Sequence, residues 1–282
     1  GDDEYVVASD GSAIVEHTSQ VVYLEDNELV HLGPDGLQAS TIDEEPLEKQ
    51  VDTLEMTLEE IELAGYEHHM LKEIHEQPES LKNTMSGRLD RLEGQIVLGG
   101  LARMERELAQ FKRVLISGCG TAWHAGLVGE YLFEELARVP TDVEYASELR
   151  YRNPIVEDGT MAIFMSQSGE TADTLAALRE MKMKGAIIFG VVNMVGSTIA
   201  RETDAGVYLH VGPEIGVAST KAFTAQVAVL AMIATDMGRR RHLSPERTSE
   251  MLRALEKIPE QVAQALAVED QIKDLTARLV DR

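Results

Sequence analysis

Short apolar runs alternate with longer amphipathic segments between residues 114 and 237. The runs have the length of buried strands, and the segments between them carry apolar positions at helical spacing. Because strands that alternate with helices pair in parallel, we expect a doubly wound α/β fold with a five-stranded sheet flanked by helices. The predicted helices are Trp123–Leu136, Thr171–Met183 and Lys221–Met237, and the predicted strands are Val114–Ser117, Val143–Ala146, Met161–Met165, Ile187–Asn193 and Gly206–Leu209.

The segment before residue 65 has a different pattern, in which turn signals at Asp26-Asn27 and Gly33–Gly36 separate short alternating runs. Because three or four short strands cannot close a hydrophobic core by themselves, we interpret this part as the edge of a β-rich domain. The chain also starts at Gly1, directly before a predicted strand, and we expect a fragment of a longer protein. The runs predict a short helix at Ser12–His17 and strands at Tyr5–Ala8, Val21–Leu24, Leu29–Leu32, Leu37–Thr41 and Val51–Met56.

Helical segments flank the alternating part of the chain. Before it, we predict a helix at Tyr66–Glu76 that Pro78 interrupts, and an amphipathic helix at Ile96–Phe111. After it, Ser244 is the predicted cap of a helix, and Pro259 is the predicted start of the last one. We interpret these segments as a linker and a connector.

Hydroxyl groups gather where the third predicted strand ends, in Ser166-Gln167-Ser168-Gly169. Thr171 or Ser168 is the predicted cap of the following helix, whose first turn holds Glu170 and Asp173. Hydroxyls, an amide and free backbone N–H groups would then face the positive end of a helix dipole, which indicates an oxyanion site suited to phosphate. The alternative is an ordinary strand–helix connection, in which Ser and Thr are common caps.

A second junction of this kind, Gly118–Thr121, follows the first predicted strand. Because parallel strands end at one edge of a sheet, both helix N-termini are expected at the carboxyl edge, where ligands of such sheets bind. The glycines at 118 and 120 lack the third glycine of a dinucleotide-binding turn, and no nucleophile elbow or P-loop pattern occurs. Cys119 has no His or carboxylate beside it in sequence, so we do not expect it to act as a nucleophile.

Charge and composition narrow the function further. The 282 residues include 49 acidic and 26 basic residues, for a net charge of −23, so nucleic acid is not an expected partner. No apolar run of 18 residues and no signal-peptide pattern occurs, and there is one cysteine, so we expect a cytoplasmic protein without a membrane partner. No further His, Cys or Asp residues at metal-ligand spacing accompany His68, His69 and His75, so we do not predict a metal site. We predict no cofactor either.

Several stretches resemble one known family. Cys119–Thr121, Ser166–Leu175 and Glu214–Gln226 resemble the isomerase part of the isomerising glutamine–fructose-6-phosphate aminotransferases, a sugar isomerase (SIS) domain. Tyr66–Pro78 is similar to the family's linker helix, and Glu16–Leu32 to the last strands of its Ntn-type glutaminase domain. The resemblance implies four parts: the end of a glutaminase domain (1–64), linker helices (65–112), a first SIS domain (113–240) and a connector towards a second SIS domain (241–282).

The resemblance also implies a function. The family makes glucosamine 6-phosphate from fructose 6-phosphate and glutamine, and this chain would supply the sugar-phosphate-binding half of the isomerase site. The hydroxyls of Ser166, Ser168 and Thr171 would donate to the phosphate, and the Gln167 amide would add a further donor. Thr121 would place a hydroxyl near the sugar, and Val217 and Ser219 would line the sugar side. Ala122 stands where the family often has Ser, so its contact would fall to the backbone N–H. The implied substrate-binding residues are Thr121, Ala122, Ser166, Gln167, Ser168, Thr171, Val217 and Ser219.

Catalytic groups of the family have no match in this sequence. The glutaminase cysteine would precede this chain, and the Schiff-base lysine, the proton-shuttling carboxylate and the ring-opening histidine belong to the second SIS domain. Lys221 resembles a structural position, because nothing in the sequence indicates that it is desolvated or beside another cation. We therefore expect the fragment to be inactive alone, to meet glutamine only through the missing glutaminase part, and to form a homodimer by analogy.

Two other functions stay open. The chain could be a non-catalytic SIS module that binds sugar phosphate as a regulator, although its acidic N-terminal part offers no basic recognition helix. It could also be a different isomerase with a single SIS domain, which the glutaminase-like strands disfavour.

We predict that salt stabilises this chain. Only 9 of the basic residues are lysines, and strong acidity with little lysine indicates a salt-loving source. Molar salt reduces the screening length to about 3 Å, which weakens the repulsion between acidic side chains. Thermal melting should show a higher melting temperature in about 2 M KCl than in dilute buffer, and equal temperatures would contradict this interpretation.

Overall fold

The computed structural model describes residues 4–8, 11–25, 27–33, 36–54 and 62–280. The chain divides into two compact units, Gly1–Gly65 and Tyr66–Arg282, which we describe separately. The predicted turn residues Asp26 and Pro34-Asp35, and the end of the predicted strand at Glu55-Met56, lie outside the described residues.

The first unit contains short antiparallel strands. A hairpin of β2 (Glu28–Gly33) and β3 (Gly36–Thr41) pairs with β4 (Pro46–Leu47), and β1 (Gln20–Val21) pairs with β5 (Asp52–Thr53). The predicted hairpin is thus confirmed, and the strands predicted at Val21–Leu24 and Val51–Met56 are present in shorter form.

Two predictions for the first unit are wrong. Tyr5–Ala8 is not a strand, and Val7 is 82% exposed, so its alternating pattern has no buried face. Ser12–His17 does not form an α-helix; a 3₁₀ turn at Gly11–Ala13 is followed by hydrogen-bonded turns. In a short segment that buries little apolar surface, packing does not offset the unfavourable free energy of helix nucleation.

A five-stranded parallel sheet forms the centre of the second unit, as predicted. Its strand order is β12-β11-β10-β8-β9, and every neighbouring pair is parallel. All residues of the central strand β10 are buried, which explains why its sequence is a continuous apolar run. The strands are β8 (Arg113–Gly118), β9 (Thr141–Tyr145), β10 (Thr160–Ser166), β11 (Ile187–Val192) and β12 (Ala205–Tyr208).

Helices cover both faces of this sheet. Ile163 of β10 belongs to the apolar cluster shared with α1, α3, α7 and α8, whereas its neighbour Phe164 belongs to the cluster shared with α4, α5 and α6. The three predicted main helices are confirmed, and α3 continues as a π-helical turn at Phe133–Ala137. The helices are α1 (His69–Met85), α2 (Glu105–Gln110), α3 (Thr121–Leu132), α4 (Ala146–Arg152), α5 (Ala172–Met183), α6 (Thr198–Glu202), α7 (Lys221–Arg241), α8 (Pro245–Leu266) and α9 (Glu269–Leu279).

Pro78 does not interrupt the first helix, contrary to the prediction. A proline at this position removes the N–H that would bond to the carbonyl of Ile74. The Gln77 side chain replaces that donor, since its Nε2 donates to the Ile74 carbonyl oxygen at 2.9 Å. Helix α1 therefore runs through Pro78. Pro259 is likewise inside α8 and does not start the last helix.

The predicted helix Ile96–Phe111 is broken into three pieces. A short hairpin of β6 (Leu89–Asp90) and β7 (Gln95–Ile96) is followed by a 3₁₀ turn at Gly99–Met104 and then by α2. Gly99 and Gly100 disfavour a helix, and the backbone of Gly100 packs directly on strand β12, where a Cβ would overlap the carbonyl oxygen of Gly206. In the described part of the chain, no helix has the length and apolar character needed to cross a membrane.

We predict that Gly100→Ala destabilises the second unit, because the new methyl group collides with a backbone oxygen that cannot turn away. The free energy of unfolding in urea should fall by about 1–3 kcal/mol, as for other overpacked positions. Gly99→Ala is the matched control, since a Cβ there would meet nothing within 4 Å. A similar loss in both variants would contradict the prediction, because it would show that the contact with Gly206 does not set the cost.

Candidate functional site

The turn between β10 and α5, residues 166–171, brings three hydroxyl groups together, and we call it the serine turn. Ser166 is the last residue of β10 and is 3% exposed. Its Oγ accepts a hydrogen bond from the Gly169 N–H at 2.9 Å and lies 2.9 Å from Thr171 Oγ1 and 3.5 Å from Ser168 Oγ. Thr171 is the residue before α5, as predicted, but it makes no side-chain cap bond to the helix. Its hydroxyl instead belongs to the cluster.

The loop after β11 fixes the backbone of the serine turn. Asn193 N–H donates to the Gln167 carbonyl at 3.3 Å, and Ile199 N–H donates to the Gly169 carbonyl at 3.0 Å. Gly169 has a φ of 69°, and a Cβ there would overlap the buried Ser197 side chain. Glycine is therefore required at this position, both for its left-handed backbone and for the close approach.

Acidic side chains near the serine turn have cationic or N–H partners. Glu170 Oε1 accepts from the Thr198 N–H at 2.7 Å, and Asp173 in the first turn of α5 pairs with Arg150 at 3.0 Å. At the end of β9, burial raises the pKa of Glu144 above its ordinary value, against the opposing effect of the Arg152 charge. The partners of Glu170 and Asp173 partly balance the charge of these two carboxylates, which lie in and next to the serine turn in sequence.

The second glycine-containing junction lies beside the serine turn. Gly118 of β8 is in register with Met165 of β10, so the two strands end side by side. Gly120, with a φ of 57°, precedes α3, whose first residue is Thr121. Cys119 Sγ lies 3.9 Å from Thr174 Oγ1 in the first turn of α5. The expected convergence of two helix N-termini at one sheet edge is therefore present.

Ala122, the predicted departure from the family pattern, is 6% exposed. A Cβ on Gly118 would lie 3.1 Å from the Ala122 Cβ, so the small side chain faces the crowded end of β8. The structure thus gives Ala122 a packing role at the junction.

A third loop, residues 212–220, follows β12 and carries Val217 and Ser219. Val217 is fully exposed, and Ser219 Oγ donates to Glu214 Oε2 at 2.7 Å. Glu214 also accepts from the backbone N–H groups of Thr220 and Ala222 at the start of α7. We call this segment the sugar loop, after the role that the resemblance implies.

Asn193 connects the serine turn to the start of the sugar loop. It is 7% exposed, its Nδ2 donates to the Gly212 carbonyl at 2.7 Å, and its Oδ1 accepts from the Val211 N–H at 3.0 Å. Its backbone N–H reaches Gln167, as described above. Asn193 was not among the predicted site residues. The available signal in the sequence was an amide side chain at the end of an apolar strand.

Helix α1 supplies further residues that the sequence analysis missed. Glu73 accepts from the N–H groups of Ile215 and Gly216, at 2.6 and 3.0 Å. Lys221 Nζ lies 2.6 Å from Glu76, and its side chain is 4% exposed. This partly buried ion pair joins α7 to α1 and is consistent with the structural role predicted for Lys221. The sequence signal for Glu73 and Glu76 was their spacing of three residues, which places both on one face of a helix.

The histidines of the linker region do not gather at a metal site. His75 Nε2 lies 3.0 Å from Glu269 of α9, and its ring stacks on Tyr66. Among the described residues, no group of three or more His, Cys, Asp or Glu side chains is arranged to hold a metal ion.

Comparisons with known proteins agree with the fold. The SIS domain family model matches residues 107–236. The isomerising glutamine–fructose-6-phosphate aminotransferase of Chlorobaculum tepidum is 52% identical over 281 residues, and that of Methanosarcina acetivorans is 44% identical over 275. These alignments cover 100% and 97% of this chain but 46% and 44% of the relatives, so the chain spans about half the length of the curated relatives it matches.

A solved structure gives the same result. The C-terminal domain of glucosamine-fructose-6-phosphate aminotransferase from Francisella tularensis superposes with a TM-score of 0.71 at 38% identity. The match covers 75% of this chain and 59% of that one. The parallel sheet and its flanking helices are therefore those of a SIS fold.

We predict that Gly169→Ala destabilises the protein more than Gly185→Ala does. Both glycines have a left-handed φ, of 69° and 89°, but only a Cβ at position 169 would meet a neighbour, Ser197. The extra loss in the free energy of unfolding should be about 1–3 kcal/mol, the usual cost of overpacking. Urea unfolding of both variants measures it, and equal losses would mean that the turn yields to the added methyl group.

Proposed function

We propose that the serine turn binds the phosphate of fructose 6-phosphate or glucosamine 6-phosphate. The premise is that residues 107–236 form a SIS domain and that the chain is related over its whole length to isomerising glutamine–fructose-6-phosphate aminotransferases. The observation that carries the proposal is the hydroxyl cluster of Ser166, Ser168 and Thr171 at the start of α5. Each hydroxyl has a proton to donate, and the helix dipole favours an anion at this point.

The chemistry of the cluster fits phosphate better than a sugar hydroxyl. The Gly169 N–H occupies one acceptor position of Ser166 Oγ, and the proton of this hydroxyl can be donated to Thr171 Oγ1 or, when a ligand is bound, to an acceptor-only ligand. Phosphate oxygens are such acceptors, and hydrogen bonds to a charged group are the stronger kind. The Gln167 amide and the backbone N–H groups of the turn add further donors.

The remaining implied contacts are part of the same proposal. The hydroxyl of Thr121 lies at the neighbouring helix N-terminus, and the backbone N–H of Ala122 would act without a side-chain donor. Val217 and Ser219 line the sugar. These loops all follow the carboxyl ends of strands in one parallel sheet, which is where a sugar phosphate can contact them together.

We place this site in the glutamine-dependent synthesis of glucosamine 6-phosphate, with this chain supplying the sugar-phosphate-binding half of the isomerase site. The resemblance assigns the Schiff-base lysine, the carboxylate and the histidine to a second SIS domain. We therefore expect the 282-residue chain to bind the sugar phosphate without converting it. The homodimer and the use of glutamine stay predictions.

The test is calorimetry with fructose 6-phosphate. Ser166→Ala and Thr171→Ala should each weaken binding, because each loses a hydrogen bond to a charged group, worth about 1.5–3 kcal/mol. Thr276→Ala is the control, since that hydroxyl bonds only within α9, to the Ile272 carbonyl. Unchanged affinity in Ser166→Ala and Thr171→Ala would contradict the proposal.

A further inference from the structure

Glu73 of α1 is the least exposed charged residue among those the structure describes, with 2% of its surface accessible. Burying a carboxylate is unfavourable unless it has hydrogen-bond donors. Glu73 has two backbone donors, and both come from the sugar loop: Ile215 N–H at 2.6 Å and Gly216 N–H at 3.0 Å from Oε1. Its second oxygen lies 3.2 Å from the Gly216 nitrogen.

The sequence of the loop allows this close approach. A Cβ on Gly216 would lie 2.5 Å from Glu73 Oε2 and 3.4 Å from the Cβ of Met70. Only glycine therefore leaves room for the carboxylate to meet the backbone of the loop. The two residues are complementary, although 143 positions of chain separate them.

Apolar burial does little to hold this part of the loop. Ile215 is 40% exposed and Val217 is fully exposed, so neither side chain is enclosed in the core. Glu214 fixes the far end of the loop, from Ser219 to the start of α7. Between Glu214 and Ser219, the hydrogen bonds described for the loop backbone are those from the N–H groups of Ile215 and Gly216 to Glu73.

We propose that Glu73 is a positioning residue for sugar recognition: it holds residues 215 and 216 so that Val217 and Ser219 face the sugar of the bound sugar phosphate. This inference rests on the proposed function. Helix α1 is then part of the binding site as well as a linker, and the Lys221–Glu76 ion pair fixes the same helix to the start of α7.

The geometry separates sugar from phosphate recognition. The serine turn is held by the loop after β11, through Asn193, Thr198 and Ile199, whereas Glu73 contacts only the sugar loop in the bonds described. Loss of Glu73 should therefore weaken the binding of a hexose phosphate and leave the binding of inorganic phosphate unchanged. A general loss of structure would weaken both.

Two substitutions at position 73 give a graded test in the full chain. Glu73→Ala removes both acceptors and should weaken fructose 6-phosphate binding about tenfold, the loss expected for a displaced contact loop. Glu73→Gln keeps one oxygen that can accept both N–H groups and should stay within about threefold of the wild type. Calorimetry measures fructose 6-phosphate, and phosphorus NMR line broadening measures inorganic phosphate.

A second variant tests the contact from the loop side. Gly216→Ala pushes the carboxylate away and should give the same selective loss, and the double variant Glu73→Ala/Gly216→Ala should lose little more than either single variant, because both break one interaction. Glu79→Ala, on the same helix but with a 67% exposed side chain, is the matched control and should bind both ligands normally. Thermal melting confirms that each variant is folded.

The outcomes distinguish the two levels of the argument. A wild type that binds neither ligand would overturn the proposed function itself. If the wild type binds fructose 6-phosphate, and the single variants Glu73→Ala and Gly216→Ala both bind it with the same affinity, Glu73 has no positioning role. Parallel losses for fructose 6-phosphate and inorganic phosphate would also overturn the inference, because they would show a structural effect on the whole site.

Discussion

A chain with a net charge of −23 can bind a phosphate only if local donors outweigh the repulsion of its surface. In the proposed site, the hydroxyl groups of the serine turn would be those donors. Ser166 Oγ accepts the Gly169 N–H and lies within hydrogen-bond distance of the hydroxyls of Ser168 and Thr171. Backbone dipoles and hydroxyls carry no net charge that other acidic groups would neutralise. The proposed site therefore depends on geometry, and the geometry depends on these few hydrogen bonds.

Carboxylates around the site accept backbone hydrogen bonds from the loops. Glu170 holds Thr198, Glu214 holds the start of α7, and Glu73 holds Ile215 and Gly216. A carboxylate that accepts N–H groups has its charge partly balanced by their dipoles, so it can fix a loop without exposing full negative charge to an anionic ligand. In this acidic protein, carboxylates whose charge alone would repel a sugar phosphate shape the loops of the proposed site.

Much of the α/β fold could be predicted from the sequence, since each of its signals is local. Apolar runs such as Met161–Met165 are strands because their full burial requires apolar residues on both faces, and helical spacing is read within one segment. The hydroxyl-rich turn after β10 and the glycine-rich turn after β8 were also visible, because caps and turns depend on neighbouring residues. Predictions that rested on weak local signals were wrong. Tyr5–Ala8 is not a strand, and Pro78 lies inside a helix, where the Gln77 amide supplies the missing donor.

The sequence alone determined the order of the five sheet strands and the three main helices, and the hydroxyl groups available at the sheet edge. Only the tertiary structure decided how the loops are held, because those contacts join residues distant in the chain. Glu73 meets Gly216 and Asn193 meets Gln167 and Gly212 through pairings that no local pattern encodes. The sheet register brings Gly118 beside Met165, and from that one alignment the two helix N-termini converge on a common edge. Periodicity records what each segment buries, whereas the choice of partner is made when the segments pack.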